Sequence, residues 1–405
     1  MSKTPKLRFK EFSGEWESKK LRDVSQIIGG GTPSTTKNEY WNGNIPWFTP
    51  TEIKIQKFVS MSERTITEEG LKKSSAKILP KGTVLLTTRA SLGDMAIASQ
   101  DVTTNQGFQS IIAGDDISNE FIYYLQPKLK KYCYKNASGS TFLEISKSNI
   151  EQFKFNMPSK EEQEKIASFF SLIDDKISLQ GDKVEALKDY KKGMMQKIFS
   201  RELRFKDDDG RDYPEWEERK LGDIGNFLSG GSLSKNDLSK SGVKCILYGD
   251  LFTEYTEVIN DIRNYTNKKE KLVYGEYNTL LFPTSTTVDA ISLICPSALM
   301  IKEKVILGGD MSVFKPMIDN VICSFLSYQI NGYLKHEFSK KAQGSTIIHI
   351  YGSDLQTCRV LLPCIEEQLK ITQLLYSLDK KIEKEQEKLN YLNEYKKGLL
   401  QQMFV

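Results

Sequence analysis

The side chains that most often perform catalysis are scarce in this chain and do not form a repeated set. Its two histidines, His336 and His349, both lie in the second half, and we interpret each as a core or surface residue. The chain also lacks the Gly-x-x-x-x-Gly-Lys and Gly-x-Gly-x-x-Gly loops, whose backbone amides hold phosphorylated cofactors. The sequence therefore excludes a duplicated histidine-based catalytic site and gives no phosphate-binding loop for ATP or S-adenosylmethionine.

The cysteines give no indication of a metal site. They occur at positions 133, 245, 295, 323, 358 and 364, without Cys-x-x-Cys spacing and without matching positions in the two halves. A zinc site would need closely spaced pairs of ligands. We therefore predict free thiols and no metal. Free thiols are typical of reducing compartments, and the N-terminus has no apolar export segment, so a cytoplasmic location is expected.

The net charge of +4 over 405 residues is too small to identify a nucleic-acid binder by itself. Its distribution is more informative. Residues 160–199 contain eight lysines and eight acidic residues, and residues 365–405 contain seven of each. All the excess positive charge therefore lies in the remaining segments.

An internal repeat with an offset of 205 residues organises the chain. The segment GSTFLEISKSNIEQFKFNMPSKEEQEKI from Gly139 aligns without gaps with GSTIIHIYGSDLQTCRVLLPCIEEQLKI from Gly344. In the same way, DYKKGMMQKIF from Asp189 aligns with EYKKGLLQQMF from Glu394. A repeat of this length means that the architecture is built from two similar halves.

One repeated phrase is out of order. LRFK follows the first DYKKG segment, at Leu203, but its other copy stands at the start of the chain, at Leu7. The two halves therefore form a closed cycle that is opened at one point. We expect the two termini to lie close together.

Each half ends in a long amphipathic segment that follows a proline, Pro158 or Pro363. Apolar residues recur at alternating spacings of four and three, which is the 3.5-residue period of a coiled coil. We predict two helices of more than 30 residues each. The residues predicted to pair are Ile166, Phe170, Ile173, Ile177, Val184, Leu187, Met194, Ile198, Ile371, Leu375, Leu378, Ile382, Leu389, Leu392, Leu399 and Met403.

The polar residues in these two seams indicate the direction of pairing. A parallel pair would place Lys191 against Lys396, and Gln180 against Glu385. An antiparallel pair places each of them near an apolar residue, with the lysine stems along the seam and their charged heads in water. The sequence therefore favours an antiparallel pair.

The segments between the helices, residues 20–157 and 220–362, are predicted to mix strands and loops. GTVLLTTRASLGDMAIA and NTLLFPTSTTVDAISLI each indicate two buried strands around a polar loop. EFIYYLQPKLKKYCY and VICSFLSYQINGYLKHEF indicate short helices at equivalent places. The fold class predicted for the chain is therefore α+β, with two similar globular domains.

Several of these phrases are shared with a known family. The chain resembles the DNA-specificity subunit of type I restriction-modification systems along essentially its whole length. The likeness lies in the order domain, helix, domain, helix, and in GGGTPSTTKNEYWNGNIPWFTPTEI, VLLTTRASLGDMAIA, TNQGFQSI, GSTFLEISKSNIEQF and EEQEKIASFFSLIDDKI. The second half departs from the pattern. It has GGSLSK where Gly-Gly-Thr-Pro is favoured, and GGDMSVFKP where Asn-Gln-Gly-Phe is favoured.

The resemblance implies a domain order. Two target-recognition domains, residues 1–158 and 201–363, would alternate with two spacer helices, residues 159–200 and 364–405. The helices would form a long antiparallel coiled coil in a pseudo-two-fold, cyclic arrangement.

The resemblance also implies a function. The chain would be a non-catalytic, sequence-specific DNA-binding subunit that reads a bipartite target on double-stranded DNA. It would direct two adenine methyltransferase subunits and, in the full complex, two ATP-driven restriction subunits. In agreement, the chain has no Asn-Pro-Pro-Tyr or Asp-Pro-Pro-Tyr tetrad of adenine methylation. S-adenosylmethionine, ATP and magnesium would belong to the partners, and no membrane is involved.

The polar loops then become candidate DNA contacts, because phosphates need cationic or hydroxyl donors and base edges need paired donors and acceptors. Arg89 is the strongest candidate for reading a base, and a salt-bridged surface arginine is its alternative. The aromatics Tyr40, Trp41, Trp47 and Phe48 are interpreted as core. The predicted contacts are Thr32, Ser34, Thr35, Lys37, Thr87, Thr88, Arg89 and Ser91 in the first domain, and Ser232, Lys235, Tyr248, Thr284, Ser285, Thr286, Ser345 and Thr346 in the second.

A different class of function fits the same pattern. A two-domain scaffold could use the paired helices and the polar loops to bind proteins only, with no nucleic acid. Polar loops that differ on a shared scaffold favour recognition but do not identify the ligand.

Overall fold

The computed structural model describes residues 3–53, 56–139 and 143–404. Their mutual contacts divide the chain into two units. Unit 1 comprises residues 1–180 and 388–405, and unit 2 comprises residues 181–387. Each unit mixes helices and strands and includes part of each of two long helices.

Unit 1 combines short elements with the beginning of the first long helix and the end of the second. Its helices are α1 (Leu21–Val24), α2 (Glu68–Lys72), α3 (Asn119–Tyr124), α4 (Gln126–Asn136), α5 (Lys147–Glu151) and the beginning of α6 (Lys160–Phe199). Its strands are β1 (Glu17–Lys20), β2 (Ser25–Gly29), β3 (Trp41–Phe48), β4 (Phe58–Val59), β5 (Arg64–Ile66), β6 (Val84–Leu86), β7 (Met95–Ala98), β8 (Thr103–Thr104), β9 (Gln109–Ala113) and β10 (Lys154–Met157).

The strands of unit 1 form three sheets. The five-stranded sheet has the order β2-β9-β6-β7-β4, the three-stranded sheet β5-β3-β8, and β1 pairs with β10. Buried apolar side chains of β6, β7 and β9 pack against α3 and α4 and against the beginning of α6. This packing seats the sheet on the long helix.

Unit 2 repeats this plan. Its helices are α7 (Leu221–Ile224), α8 (Asp250–Thr253), α9 (Ala290–Leu293), α10 (Cys323–Gln329), α11 (Lys335–Ser339), α12 (Gly352–Leu355) and the beginning of α13 (Ile365–Met403). Its strands are β11 (Glu217–Lys220), β12 (Gly225–Ser229), β13 (Leu238–Ser239), β14 (Val243–Ile246), β15 (Val258–Ile259), β16 (Asn264–Thr266), β17 (Val273–Gly275), β18 (Thr279–Pro283), β19 (Ser285–Thr286), β20 (Ser297–Leu299), β21 (Val305–Leu307), β22 (Met311–Pro316), β23 (Ile348–His349) and β24 (Arg359–Leu362).

The sheets of unit 2 match those of unit 1. The order β12-β22-β18-β20-β15 corresponds to the five-stranded sheet of unit 1, and β11 pairs with β24 as β1 pairs with β10. The second sheet is larger, with the order β13-β16-β14-β21-β17, and a further pair joins β19 to β23. The predicted α+β class and the predicted duplication are therefore confirmed at the level of elements.

One predicted strand is wrong. The first half of NTLLFPTSTTVDAISLI is the buried strand β18, as expected, but AISL forms the helix α9 rather than a second strand. Asp289 accounts for the difference, because its Oδ1 accepts a hydrogen bond from the Ser292 amide at 2.7 Å and caps the helix. The next strand, β20, begins only at Ser297.

The two long helices have more than 30 residues each, as predicted, with 40 residues in α6 and 39 in α13. All sixteen side chains predicted to pair are buried or half-buried, whereas Leu172 and Leu179, off the seam, are 69% and 70% exposed. In unit 1 the beginning of α6 shares an apolar cluster with the end of α13. In unit 2 the end of α6 shares one with the beginning of α13.

The lysines of the seam differ from the prediction that their heads lie in water. Lys191 Nζ is 2.5 Å from Asp379 Oδ1 and 3.0 Å from Glu257 Oε1 in unit 2. Lys396 forms the equivalent ion pair with Asp174 in unit 1. A carboxylate from the facing helix therefore neutralises each lysine, because partly buried charges are stable when they are paired.

The first residues of the chain contact its last helix, as the out-of-order repeat predicted. The Leu7 amide donates to the Gln402 carbonyl at 3.1 Å in unit 1. In unit 2 the Leu203 amide donates to the Lys197 carbonyl at 2.9 Å, and these two residues belong to one continuous segment. Leu7 therefore lies beside the end of α13 in the way that Leu203 lies beside the end of α6. Only Leu203 is joined to its helix by the continuous chain.

Candidate nucleic-acid interface

Three loops of unit 1 meet at one end of its five-stranded sheet. We call them the glycine loop (residues 30–37), the arginine loop (residues 87–94) and the TNQG loop (residues 104–107). They meet because β2 and β6 end where β9 begins, as the pairings of Gly29 with Gln109 and of Thr87 with Phe108 show. Loops at the end of a rigid sheet are suited to recognition, since the scaffold fixes their positions.

Backbone contacts join the glycine loop to the TNQG loop. The Gly31 amide donates to the Thr104 carbonyl at 2.8 Å. A Cβ atom on Gly30 would lie 2.0 Å from the Asn105 carbonyl oxygen, so only glycine allows this approach. The contact holds the polar tip of the glycine loop in one place.

Most of the predicted glycine-loop contacts lie at the surface. Ser34, Thr35 and Lys37 are exposed, and Lys37 Nζ lies 3.6 Å from a carboxylate oxygen of Glu39. Thr32 is half-buried and donates its hydroxyl to the Gln106 side chain. The structure therefore brings these four residues together at the tip of one loop.

The arginine loop corrects part of the prediction. Thr87 and Thr88 are completely buried, so neither side chain is available to a duplex in this structure. The Thr87 hydroxyl accepts the Asp94 amide at 2.9 Å and thereby closes the loop. Ser91 is half-buried and donates to the Pro50 carbonyl at 3.3 Å. These residues shape the loop rather than form its surface.

Arg89 is exposed but has a partner. Its guanidinium lies 2.8 Å from Glu144 Oε1, and both side chains are nearly half exposed. A surface ion pair of this kind contributes about 0–1 kcal/mol. Arg89 therefore loses little free energy when it exchanges Glu144 for another anion or for a base edge.

Unit 2 places its loops at the equivalent end of its sheet. Ser232 and Lys235 are exposed on the loop after β12, and Tyr248 is 39% exposed. Lys235 and Tyr248 both line a cleft of about 740 Å³ that also includes Arg263 and Asp310. Two predicted contacts thus share one recess.

The remaining predicted contacts of unit 2 are divided. Thr284 is buried, with its amide donating to the Asp310 carbonyl at 2.9 Å, so its side chain is not at the surface. Ser285 and Thr286 are half-buried in β19. Ser345 and Thr346 are exposed on the loop before β23.

Matching contacts show which residues correspond between the units. Thr88 and Thr284 both donate their amides to the loop that precedes the long strand β9 or β22. The position of Arg89 is therefore occupied by Ser285 in unit 2. Its neighbour across the loop changes as well, from Glu144 to His349. The scaffold is repeated while the exposed side chains differ.

Sequence reasoning missed Arg64, which lies on β5 and is exposed. Its guanidinium carbon lies 3.6 Å from the centre of the Trp41 ring. Trp41 and Trp47 are buried, as predicted, and their rings meet edge to face at 5.0 Å. No local motif could have identified this stack, because it depends on the pairing of β3 with β5.

A second repeated feature attaches the loop-bearing segments to the long helices. In unit 1, Arg8 Nη2 lies 2.7 Å from Glu162 Oε2, and the hydrogen bond to Glu162 raises the pKa of Arg8. In unit 2, Arg204 Nη2 lies 2.9 Å from Glu367 Oε2, and the Trp216 indole donates to the same oxygen at 3.0 Å. The first turn of each long helix thus holds the segment that leads into its unit.

Each unit has a second polar cluster beside the seam lysine of the long helices, and the two clusters carry different charges. In unit 1, Lys57 Nζ lies 2.6 Å from Glu120 Oε2 and donates to the Tyr124 hydroxyl at 3.0 Å. In unit 2 the equivalent of Lys57 is Glu257, which approaches Lys191. Burial, together with Glu257, raises the pKa of Asp379. Each unit therefore has its own charge arrangement where it meets the helices.

Hydroxyl, lysine and arginine donors dominate the surface of these loops, which suits phosphates and base edges. Among residues 3–53, 56–139 and 143–404, no group of three or more His, Cys, Asp or Glu side chains is placed to hold a metal ion. Within the same ranges, no helix is both long and apolar enough to span a bilayer. All six cysteines are described, and none forms a disulfide.

Comparisons of the sequence with known proteins identify relatives along the whole chain. A family model described as the type I restriction modification DNA specificity domain matches residues 13–189 and 213–394. The chain is 29% identical, over 418 aligned residues, to the type I restriction enzyme MjaIX specificity subunit of Methanocaldococcus jannaschii, covering 95% of this chain and 92% of that one. It is 31% identical over 175 residues to the EcoR124I/EcoR124II specificity subunit of Escherichia coli, covering 42% and 43%.

Solved structures share the fold. The crystal structure of a type I restriction-modification S subunit from M. genitalium matches with a TM-score of 0.61 and 18% identity, covering 99% of both chains. A chain from a structural study of the assembly of the type I restriction-modification system matches with a TM-score of 0.59 and 16% identity. It covers 96% of this chain and 97% of that one.

Proposed function

The chain belongs to the family of type I restriction modification DNA specificity domains, and from this premise we propose how it recognises a bipartite DNA target. It is a specificity subunit and not itself an enzyme. Unit 1 reads one half-site and unit 2 reads the other. The observation that supports this most is that the two units repeat one sheet but carry different side chains at equivalent loop positions, exposed Arg89 in unit 1 and half-buried Ser285 in unit 2.

The division of the chain follows the repeat. The target-recognition domains are residues 1–158 and 201–363, and the spacer helices are residues 159–200 and 364–405. The helices pair as one antiparallel coiled coil in a pseudo-two-fold, cyclic arrangement. Supporting this, each unit contains the beginning of one helix against the end of the other, with the equivalent ion pairs Asp174–Lys396 and Asp379–Lys191.

The partners follow from the family. The chain directs two adenine methyltransferase subunits and, in the full complex, two restriction subunits, in the cytoplasm. S-adenosylmethionine, ATP and magnesium belong to those partners, since a specificity subunit holds no cofactor. The alternative of a protein-only scaffold is not favoured, because the curated relatives are specificity subunits of restriction enzymes.

The proposed contacts are the exposed members of the predicted set. They are Ser34, Thr35, Lys37 and Arg89 in unit 1, and Ser232, Lys235, Tyr248, Ser345 and Thr346 in unit 2. Half-buried Thr32, Ser91, Ser285 and Thr286 border them. Thr87, Thr88 and Thr284 are left out, because their side chains are buried.

The function is tested by mapping methylated adenines in DNA exposed to this chain and its methyltransferase partner. We expect methylation at one bipartite sequence with a fixed unread spacer. The partner alone, without this chain, is the control and should leave that sequence unmethylated. Methylation without sequence preference, or the same pattern with and without the chain, would reject the proposal.

Replacing Arg89 with alanine is expected to relax recognition at one half-site only, because each unit reads its own bases. A bidentate arginine contact contributes about 1–3 kcal/mol of discrimination. The measurement is the sequence logo of methylated sites. Glu144→Gln is the matched control, since it removes the ion pair while retaining the arginine. Equal loss of selectivity at both half-sites, or the same relaxation in Glu144→Gln, would contradict the prediction.

Circular permutation is expected to preserve function. The Leu7–Gln402 hydrogen bond supports joining the two ends by a short flexible linker. New termini can open at Asp208, which is exposed in a polar turn. The permuted chain should direct methylation to the same sites as the natural chain. A permutant opened at Leu280, inside buried β18, is the control that should fail to fold. Loss of methyltransferase assembly in the first permutant would refute the adjacency of the ends.

A further inference from the structure

Arg64 is held in a fixed orientation at the surface of unit 1. Its guanidinium carbon lies 3.6 Å from the centre of the Trp41 ring and 5.5 Å from that of Trp47. Stacking of this kind occupies the flat face of the guanidinium and leaves its N–H groups pointing outward in the plane. The side chain is thereby prepared to donate two parallel hydrogen bonds.

The charge of Arg64 is not neutralised within the part of the chain that the structure describes. Unit 1 contains four arginines, and the other three each lie beside a carboxylate: Arg8 at Glu162, Arg22 at Asp23 and Arg89 at Glu144. No such partner is present for Arg64 among residues 3–53, 56–139 and 143–404, and no hydrogen bond from its guanidinium is found there. An exposed, oriented and unpaired guanidinium is suited to an acceptor from outside the chain.

The tryptophans that support Arg64 also support the glycine loop. The Trp41 indole N–H donates to the Ser34 carbonyl at 3.1 Å, and that of Trp47 donates to the Gly31 carbonyl at 2.8 Å. The guanidinium and the hydroxyl-rich tip of the loop are therefore fixed to the same pair of rings. A duplex contacted by the loop would lie within reach of Arg64.

Unit 2 lacks this arrangement. Strand pairing places Asn264 at the equivalent of Arg64 and Leu238 at the equivalent of Trp41. The Asn264 amide donates to Asp250 at 2.9 Å, and both residues line the 740 Å³ cleft. The stacked arginine is thus a property of one recognition unit and not of the shared scaffold. A residue that differs between repeated scaffolds is a candidate for specificity rather than for folding.

We propose that Arg64 reads a guanine in the half-site recognised by unit 1, donating two hydrogen bonds to its O6 and N7 atoms. This proposal rests on the proposed DNA-specificity function and names a residue that performs it. Guanine is the base with two adjacent acceptors in the major groove, and a bidentate arginine is its commonest specific contact. A fixed guanidinium plane matters for such a pair, whereas a lysine can bind a phosphate as a point charge without any fixed plane.

The test compares Arg64→Ala and Arg64→Lys with the natural chain, each in complex with its methyltransferase partner. Methylated adenines are mapped, and binding to the mapped target is measured at several salt concentrations. Arg64→Ala should relax one guanine position of one half-site, reducing discrimination there by roughly 5- to 150-fold. The other half-site should be unchanged. Arg64→Lys should fall between the two, because lysine keeps the charge without the planar fork.

Arg22→Ala is the matched control, because it removes another exposed arginine of the same unit that lies on a different element. It should leave the target unchanged. Hydrogen exchange of unit 1 separates recognition from folding, and Arg64→Ala should retain the protection of β3 and β5. A unit 1 that loses this protection, with its target unchanged in the molecules that still bind, would show that the stack is only structural.

Two other outcomes would overturn the proposal while leaving the specificity function intact. In the first, Arg64→Ala weakens binding equally on all sequences, lowers the salt dependence by about one counterion, and is rescued by lysine. That result identifies a phosphate contact. In the second, the target and its discrimination do not change at all. Failure of the natural chain to direct methylation to any sequence would instead reject the function itself.

Discussion

Replacing Glu367 with alanine is expected to unfold the segment from Arg204 to α7, which leads into the sheets of unit 2. The Glu367 side chain is completely buried and accepts hydrogen bonds from Arg204 and from the Trp216 indole. Alanine would leave the Arg204 guanidinium, only 18% exposed, with the exposed Glu215 carboxylate at 3.2 Å as its remaining partner. Removing one partner of such a buried pair costs about 3–5 kcal/mol. This is a large part of the stability of most domains.

The measurement is hydrogen exchange of the peptides that contain Trp216 and α7, followed beside the peptides of unit 1. Their protection should fall in unit 2 and stay unchanged in unit 1. Glu366→Ala is the matched control, because Glu366 is the neighbouring carboxylate on the same helical turn and is exposed. Equal effects of the two substitutions would show that the buried cluster does not stabilise unit 2. The repeat predicts the mirror result for Glu162→Ala, with unit 1 affected instead.

The sequence predicts best the features that depend on regular spacing or on repeated segments along the chain. The seam of α6 and α13 follows from apolar residues spaced by four and three, and its length follows from the absence of a break between Pro158 and Phe199. The duplication follows from the repeat with an offset of 205 residues, and the contact between the chain ends follows from the position of LRFK. Each of these depends on the order of residues along the chain and not on which distant segments meet.

The details of the candidate interface depend on distant pairings and were less predictable. Thr87 and Thr88 belong to a polar phrase, but both are buried, because the chain continues the line of β6 into a pairing with the segment before β9. Arg89 meets Glu144 across 55 positions of sequence. Arg64 acquires its stack because β5 pairs with β3. Exposure and partner choice at a loop are set by tertiary contacts that no short pattern records.

The lysines of the helical seam show the same division. The sequence places Lys191 and Lys396 in largely apolar seams, and these lysines, with Gln180 and Glu385, favour the antiparallel direction. What it did not show is that Asp174 and Asp379 face them. These carboxylates are 17 residues before the lysine of the same helix, a separation at which residues of one helix do not touch, so each bridge needs the facing helix. Any change in the length of the two helices must therefore keep these ion pairs in register.

Lengthening both helices by one heptad is expected to change the unread spacer of the DNA target by roughly three base pairs. A heptad preserves the 3.5-residue seam and adds about 10 Å of helix at 1.5 Å per residue, while duplex DNA rises about 3.4 Å per base pair. The insertions belong after Gln180 and after Glu385, which are equivalent positions of the repeat. They leave both Asp–Lys ion pairs on their own sides of the insertion.

The readout is the spacer of the methylated sequences and not the strength of binding. Three added base pairs rotate one half-site by about a third of a turn, since a turn is about 10–10.5 base pairs, so affinity can fall even where the spacing is right. Inserting the heptad in α6 alone is the control, because the Asp174–Lys396 and Asp379–Lys191 pairs can then no longer form together, and this chain should not direct methylation. If the doubly extended chain folds, assembles with its partner and still selects only the original spacer, the helices do not set the distance.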